Sequence, residues 1–206
     1  MSISEHWRKH AGETCLIIAN GPGLRDIPLD FLRRFPSFGT NLIYKLEGFV
    51  PTYYTAVDHK ILIPLAKTLE ARLPIPKFVP DRYPDYQARP VYYFHHRPGE
   101  VWEGNAEGVE MLTAPGIAYT SVTHVALQLA YYMGFTTMLI VGLDHTDDGQ
   151  HFYGSGGKLS DLGAIDKGYG ALDKAFREAK IPRHIINIST ATNTEAFERG
   201  EWQEYD

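Results

Sequence analysis

The chain is poor in the features that mark several large classes of protein. It has one cysteine in 206 residues, Cys15, so no internal disulfide can form. No apolar run approaches the roughly 18 residues of a membrane-spanning helix, and residues 1–10 are too polar for a secretory signal. The net charge is −5 and no basic cluster occurs, which argues against nucleic acid as a partner. We therefore expect a cytoplasmic protein with no transmembrane segment.

Three common catalytic signatures are absent as well. The stretch Asn20-Gly21-Pro22-Gly23 is not followed by Gly-Lys-Ser/Thr, as a triphosphate-binding P-loop would be, and it lacks the Gly-x-Gly-x-x-Gly spacing of a dinucleotide site. No Ser–His–Asp set with a nucleophile elbow occurs. Cys15 lies inside a predicted strand, where it is poorly placed as a nucleophile.

The same glycine-bearing stretch is the most informative part of the chain. The apolar run 15–19 stops abruptly at it, which predicts a buried strand that enters a tight loop. In a doubly wound α/β domain such a loop borders the ligand crevice. Gly21 and Gly23 leave the backbone bare, so a phosphate or sugar can approach its N–H groups. An ordinary junction between a strand and a turn explains the run equally well.

Strand-like and helical segments alternate along the chain. This order predicts an α/β, Rossmann-like three-layer sandwich, in which a mostly parallel sheet carries helices on both faces. The length suits a single domain over residues 1–206. The predicted strands cover residues 15–20, 38–43, 53–58, 77–79, 91–95, 137–141 and 184–188, and the predicted helices cover residues 27–35, 60–73, 120–133 and 166–180.

Polar side chains follow three of these strands, at Asn20, Asp58 and the pair Asp144-His145. Because the carboxyl ends of parallel strands lie at one edge of the sheet, we expect these groups to converge on one pocket. Each also has a structural explanation: Asp58 can cap the helix that follows it, and Asp144 can brace a turn.

The segment 144–154 is the densest polar patch of the sequence. Asp144 and His145 side by side can bind a divalent metal, or act as a base with its orienting carboxylate. The Asp-Asp-Gly that follows is equally typical of a solvated β-turn. His151 and Tyr153 are further candidates, the tyrosine as a hydroxyl donor to a phosphate, but most loop residues have no such role.

Three further segments carry predictions. Thr120 or Ser121 begins a helix, and its free N–H groups form either an anion site or a plain cap. The polar, glycine-rich residues 97–115 are the best candidate for a mobile loop. The aromatic residues within 83–94 predict an exposed surface through which the chain can form a homo-oligomer.

The order of two sequence blocks resembles the bacterial sialyltransferases that act on lipooligosaccharides. The first block is an apolar strand, then Asn-Gly-Pro-x-Leu, then Asn41 at a second strand end. The second is similar to that family's Gly-Tyr-x-x-Ile-x-Leu-x-Gly-x-Asp region. It comprises Thr120-Ser121, an alanine-bearing helix, Met133-Gly134-Phe135 and Ile140-Val141-Gly142-Leu143-Asp144. The same blocks resemble a broader group that includes the archaeal 6-hydroxymethylpterin diphosphokinase, and the Asp-Gly-x-His after Asp144 is closer to that group.

The resemblance implies nucleotide binding in the sheet crevice. Asn20, Gly21 and Gly23 would approach the phosphate or sugar, with Asn41 nearby and Ser121 on the far side. Among the sialyltransferases, tyrosines hold the leaving phosphate, and Tyr153 matches one of them. Their later base histidine has no counterpart in residues 159–166.

Three functions therefore stay open. In a glycosyltransferase, which would need no metal, a nucleotide sugar binds in the crevice and His145 or His151 deprotonates a small-molecule or glycan acceptor, while Tyr153 and the Gly21 region stabilise the departing phosphate. In a diphosphokinase, Asp58 and Asp144 hold the Mg²⁺ that bridges the phosphates. The third is a nucleotide-binding domain without catalysis.

Overall fold

The protein is described by a computed structural model over residues 3–94, 102–105, 108–111, 121–157 and 161–206. Eight strands of the described residues form one sheet: β1 (Thr14–Ile18), β2 (Ser37–Thr40), β3 (Tyr53–Thr55), β4 (Lys77–Pro80), β5 (Val91–Phe94), β8 (Thr137–Val141), β11 (His184–Asn187) and β12 (Glu198–Arg199). Every pairing in this sheet is parallel, and the strand order is β12-β11-β8-β1-β2-β3-β4-β5. The described residues also form two short antiparallel pairs: β6 (Trp102–Asn105) with β7 (Gly108–Met111), and β9 (Gln150–His151) with β10 (Gly154–Ser155).

Helices cover both faces of the sheet, as a three-layer α/β sandwich requires. One face packs against α3 (Val122–Tyr132) and α4 (Leu162–Glu178). The other packs against α1 (Leu29–Leu32) and α2 (His59–Arg72). The strands in the middle are buried on both sides, and β8 runs through Met138–Val141 without an exposed side chain. The predicted Rossmann-like fold is confirmed.

Several predicted boundaries are corrected. Of the helix expected at 27–35 only one α-helical turn forms, Leu29–Leu32, because Pro28 disfavours helical backbone at Ile27, which is extended at φ −92° and ψ 122°. A 3-10 helix, Pro22–Asp26, precedes it. Helix α4 begins at Leu162, earlier than predicted, because Asp161 caps it by accepting the N–H of Ala164 at 2.9 Å. The β9–β10 pair and β12 were not predicted.

The predicted exposed aromatic surface within 83–94 is wrong. Tyr86, Tyr92 and Phe94 are buried, with exposed fractions of 1, 7 and 2%. They pack in the two cores on either side of the edge strand β5. Apart from β6 and β7, the predicted mobile loop 97–115 lies outside the described residues, as does Thr120.

No helix in the described ranges combines the length and the apolar character needed to cross a membrane.

Candidate functional site

A cavity of about 280 Å³ opens at the carboxyl edge of the sheet, beside the central strands β1 and β8. After β1 the chain turns towards β2 on one side, and after β8 it turns towards β11 on the other. The two loops therefore diverge and leave a crevice between them, where open α/β sheets place their ligands. The starts of α2 and α3 complete its walls.

Most of the residues predicted from sequence meet at this cavity. Eight of the ten line it: Asn20, Gly21, Asn41, Asp58, Ser121, Asp144, His145 and His151. Gly23 and Tyr153 are not among the lining residues. The polar residues that follow the strands therefore lie around one cavity, as expected.

The loop that follows β1 (residues 19–23, the first loop) packs closely against the loop that follows β8 (residues 142–145, the second loop), because the first loop contains glycines. A Cβ on Gly21 would lie 2.6 Å from both the Asp144 Cγ and the Gly142 carbonyl oxygen. The Gly21 N–H donates to that carbonyl at 2.7 Å, and the Gly23 N–H donates to Asp144 Oδ2 at 2.6 Å. The bare backbone that was expected to meet a phosphate is therefore engaged within the protein.

Asp144 packs against the first loop, and only one of its two carboxylate oxygens accepts a hydrogen bond from the described residues. Its side chain is buried, and Oδ1 has no hydrogen-bond partner among the described residues. Burial raises the pKa of this carboxyl, the Gly23 N–H counteracts the rise, and the neighbouring charges of Asp26 and Asp148 add to it. Asp144 is a buried acceptor that favours a donor group on a ligand.

Two asparagine side chains face the cavity from the other side. Asn20 is held by Nδ2, which donates to the Thr40 carbonyl at 3.0 Å and to Thr40 Oγ1 at 2.8 Å. Asn41 sits in the left-handed region at φ 47°, which asparagine tolerates better than most residues. Its carbonyl accepts the Tyr54 hydroxyl at 2.9 Å. In both asparagines Oδ1 is buried and has no partner in the described part of the chain.

His145 has a carboxylate partner, but it is not the adjacent Asp144. The Nε2 atom of His145 lies 3.2 Å from Asp166 Oδ1 and 3.2 Å from the carbonyl oxygen of Leu162, both on α4. The side chain is buried, and Nδ1 finds no partner among the described residues. The sequence-based pairing of Asp144 with His145 is thereby corrected.

The structural explanations of Asp58 and Ser121 are confirmed. Asp58 caps α2 by accepting the Lys60 N–H at 2.9 Å, and Ser121 caps α3 by accepting the His124 N–H at 3.3 Å. Ser121 Oγ also lies 2.6 Å from the hydroxyl of Tyr169, a cavity residue that sequence reasoning missed.

His151 and Tyr153 lie on the β9–β10 hairpin, which forms one wall. Their rings stack at 5.0 Å with an angle of 13° between the planes, and Lys45 Nζ lies 4.6 Å above the tyrosine ring. The backbone carbonyl of Phe152 accepts Arg25 Nε at 2.6 Å, which ties the hairpin to the first loop. Tyr153 is thus held by its ring beside the cavity, and burial raises its pKa.

A polar segment after β11, residues 189–194, braces the second loop. Ser189 Oγ accepts the Leu143 N–H at 2.9 Å, Thr192 Oγ1 donates to the Leu143 carbonyl at 2.6 Å, and the Asn193 N–H donates to the Asp144 carbonyl at 3.0 Å. The hydroxyl and amide side chains of this segment are visible in the sequence. Nothing local indicates what they bind, because their partners lie about 50 residues away.

The magnesium site proposed for Asp58 and Asp144 stays a prediction, because one or two carboxylates with substrate phosphates are enough to hold Mg²⁺. The described residues include no group of three or more His, Cys, Asp or Glu side chains placed to hold a metal ion. Asp58 caps a helix and Asp144 accepts a backbone N–H, so each carboxylate has one oxygen engaged within the protein.

Comparison with known proteins finds likeness in structure alone. No protein-family model and no curated protein matches the sequence. Among solved structures, the MAf glycosyltransferase from Magnetospirillum magneticum AMB-1 matches 98% of this chain with a TM-score of 0.64 and 13% identity. The sialyltransferase CstII from Campylobacter jejuni, solved in complex with a substrate analogue, cytidine-5′-monophosphate, matches 86% with a TM-score of 0.55 and 12% identity. Both are glycosyltransferases.

The match spans 37% of the MAf chain and 80% of the CstII chain. At such low identity the likeness establishes the α/β fold and no activity. It agrees with the sequence resemblance to sialyltransferases, whereas the resemblance to diphosphokinases finds no support in these comparisons.

Proposed function

We propose that this chain is a glycosyltransferase whose donor, a nucleotide sugar, binds in the cavity at the carboxyl edge of the sheet. One observation carries the proposal: four buried polar atoms without a partner among the described residues belong to residues that line this one cavity. They are Asn20 Oδ1, Asn41 Oδ1, Asp144 Oδ1 and His145 Nδ1. Buried polar groups in native proteins are nearly always hydrogen-bonded, so a bound molecule or water is required to satisfy them.

The chemistry of these atoms indicates what the bound molecule offers. The amide and carboxylate oxygens accept hydrogen bonds, and His145 Nδ1 also accepts when Nε2 carries the ring proton. No lysine or arginine is among the described residues that line the cavity. A ligand rich in donors fits this set, and a nucleotide sugar presents several hydroxyls on its ribose and its sugar. The two glycosyltransferase neighbours support the same class of ligand.

The residues take distinct roles in this proposal. Asn20 and Asn41 bind the nucleoside part, and Ser121 closes the far wall. His145 Nδ1 accepts the proton of the acceptor hydroxyl while that oxygen bonds to the anomeric carbon of the sugar. The bond from the anomeric carbon to the phosphate oxygen breaks, and its electron pair leaves with the nucleotide. Gly21, Gly23 and Tyr153 are not assigned to the phosphate, because their groups are engaged within the protein or lie beside the cavity.

A thermal-shift measurement with a matched variant tests the proposal. The ligands are CMP, CMP-sialic acid, UDP- and GDP-sugars, ATP and GTP, each with Mg²⁺ and with a chelator. We expect a pyrimidine nucleotide or its sugar to raise the melting temperature in the presence of chelator, because binding to the native state stabilises it. Asn41→Gly keeps the left-handed backbone and removes the amide, so it should weaken that ligand by roughly tenfold, the value of one hydrogen bond.

Other outcomes contradict the proposal in distinct ways. A shift from ATP alone, and only with Mg²⁺, would identify a diphosphokinase instead. A pyrimidine shift without transfer to any acceptor hydroxyl would leave a nucleotide-binding domain. An unchanged affinity in Asn41→Gly would remove this edge of the sheet as the binding site.

A further inference from the structure

The hydrogen bonds of His145 determine which of its nitrogens carries the proton. Both groups near Nε2, the Leu162 carbonyl and the Asp166 carboxylate, can only accept hydrogen bonds. A neutral imidazole has one N–H and one lone pair, so Nε2 holds the N–H and Nδ1 holds the lone pair. That lone pair is buried and has no partner among the described residues.

A second residue fixes the orientation of the carboxylate. Thr194 Oγ1 donates to Asp166 Oδ1, the same oxygen that faces His145 Nε2. Thr194 is buried, with 3% of its surface exposed. One oxygen of Asp166 therefore contacts both the Thr194 hydroxyl and the His145 ring. This carboxylate lies beside the ring that becomes positively charged when it accepts a proton.

The backbone at His145 is held as firmly as its ring. Its φ of 56° lies in the left-handed region, which a residue with a Cβ adopts only at a cost in free energy. Asn193 stabilises this conformation, since its Nδ2 donates to the His145 carbonyl at 3.4 Å and its N–H donates to the Asp144 carbonyl at 3.0 Å. The imidazole is consequently presented to the cavity from a preformed position.

The other candidate base lacks such an arrangement. The His151 ring stacks on Tyr153, and no hydrogen bond or ion pair of that ring occurs within the described residues. A Cβ on Gly156 would collide with the His151 Cδ2 atom, so the ring packs closely on the Gly156 backbone. Within the described ranges, therefore, no hydrogen bond of the His151 ring selects its tautomer.

We infer that Asp166, oriented by Thr194, is the positioning residue that makes Nδ1 of His145 the proton acceptor of the transfer reaction. The inference rests on the proposed function. As the acceptor oxygen bonds to the anomeric carbon and the nucleotide departs with the electron pair, the hydroxyl proton moves to Nδ1. The imidazolium formed in this step lies beside the Asp166 carboxylate, which lowers its free energy. Neither Asp166 nor Thr194 needs to touch the substrate.

Nitrogen NMR of the full chain tests the tautomer without any substrate. Protein labelled at the histidine ring nitrogens is recorded at pH 8, where an ordinary histidine is neutral, and His145 is assigned by comparison with His145→Gln. We expect the proton on Nε2, in slow exchange with water, and Asp166→Ala should make that exchange fast. Asp166→Asn should keep the proton on Nε2, because the Thr194 hydroxyl still donates to the oxygen that faces the ring. A proton on Nδ1 in the wild-type chain, or slow exchange that survives in Asp166→Ala, would overturn the inference.

Kinetics then separates positioning from structure. Asp166→Ala and Asp166→Asn should each lower kcat, the alanine variant by on the order of 10²-fold, the range of general-base effects, with an unchanged affinity for CMP in calorimetry. Asp173→Ala is the matched control, since Asp173 lies on the same helix and pairs with Arg177 away from the cavity. If Asp166→Ala does not fold, Thr194→Val leaves the carboxylate in place and should give a smaller loss of kcat.

The two levels of the proposal fail in different ways. A wild-type chain that neither binds nucleotides nor transfers a sugar removes the proposed function, while the NMR result still decides what Asp166 does to the ring. A chain that transfers sugar but keeps its full kcat in Asp166→Ala removes the inference alone. A parallel loss of CMP affinity and kcat would also contradict it, because that pattern indicates a structural role.

Discussion

At the scale of single residues, His6 is the group most at odds with its surroundings. It lies in a 3-10 helix, Ile3–His6, and its ring meets those of Tyr53, Phe78 and Tyr92 edge-on at 5.6, 5.0 and 4.5 Å. Neither ring nitrogen has a partner among the described residues. Burial lowers the pKa of His6 to about 4, and Lys9 adds to the effect. The folded protein therefore holds His6 neutral at a pH where the unfolded chain protonates it.

This difference predicts a pH-dependent stability. Between pH 6.5 and 4 the unfolded state binds the extra proton, so the free energy of unfolding falls as the pH falls through that range. For His6 alone the loss between pH 8 and pH 5 is about 2 kcal/mol. Urea unfolding at pH 8 and at pH 5 measures the difference. Between these two pH values, the free energy of unfolding of His6→Phe should fall by about 2 kcal/mol less than that of the wild type. The exposed His184, replaced in the same way, should leave the wild-type difference unchanged; equal losses in all three chains would contradict the prediction.

Residue types at the site were readable from the sequence, but their partners were not. Asn20, Asp144 and His145 could be placed at one edge of the sheet, because polar residues after apolar strands collect there. Their contacts come from Thr40, Gly23 and Asp166, which are distant in sequence. Adjacency in the chain suggested Asp144 as the partner of His145. The side chains of neighbouring residues in a loop usually point apart, and here the partner comes from α4.

At the scale of elements, the end of α2 depends on a lysine of the next strand. Lys77 at the start of β4 has no exposed surface, and its Nζ donates to the carbonyls of Leu73, Ile75 and Arg89 at 2.5, 3.1 and 3.0 Å. Helices leave their last carbonyls without intrahelical partners, and this ammonium satisfies one of them directly after the helix. Burial lowers the pKa of Lys77 to about 8.

Replacing this lysine should destabilise the edge of the sheet. Lys77→Met keeps the length of the side chain but leaves three carbonyl oxygens without their donor, so we expect a loss of about 3 kcal/mol in the free energy of unfolding. Urea denaturation measures it. Lys174→Met is the control, since Lys174 is 74% exposed on α4, and exposed substitutions change stability by about 0.5 kcal/mol or less. Equal effects of the two substitutions would show that the buried ammonium contributes nothing.

Long elements were predictable and short ones were not. The apolar residues of α2, α3 and β8 repeat or run on for long enough to specify the element, and their predicted bounds differ from the observed ones by two residues or fewer. The β9–β10 hairpin and β12 have two residues per strand. Two residues carry no periodicity, so such strands exist only because the sheet or the hairpin partner is already in place.

At the scale of the whole molecule, one sheet separates two apolar cores. Trp7 packs against the core on the α3–α4 face, beside Tyr132 at 5.0 Å, and Trp202 packs against the core on the other face, beside Phe31 at 5.5 Å. The strands contribute side chains to both cores alternately, so neither core can form without the sheet. The single domain predicted from the length remains to be tested.

Two single-tryptophan variants test it. In each, the other tryptophans of the three in the chain are replaced by phenylalanine, so that fluorescence reports Trp7 or Trp202 alone. If the chain is one cooperative domain, the two urea transitions should coincide in midpoint and slope. Circular dichroism, which follows the unfolding of the secondary structure of the whole chain, gives the transition with which both fluorescence transitions are compared. Separate midpoints would show that the two faces unfold independently.

The fold class followed from the order of elements, since alternating strands and helices leave few arrangements other than a parallel sheet. The position of the switch between β1 and β8 did not follow, because strand order depends on contacts between distant segments. That position decides which loops face each other, and hence why Gly21 lies against Asp144.

The strand order of the sheet also affects how the chain folds during its synthesis. β1 precedes the other seven strands of its sheet along the chain, yet it lies at the centre, and β8, its second neighbour, follows about 120 residues later. At ordinary rates of translation this interval lasts on the order of ten seconds. Throughout it one hydrogen-bonding edge of an apolar strand stays open, and the bracing segment 189–194 has not yet been made. The nascent chain, rather than the finished protein, is therefore the form most in need of a chaperone.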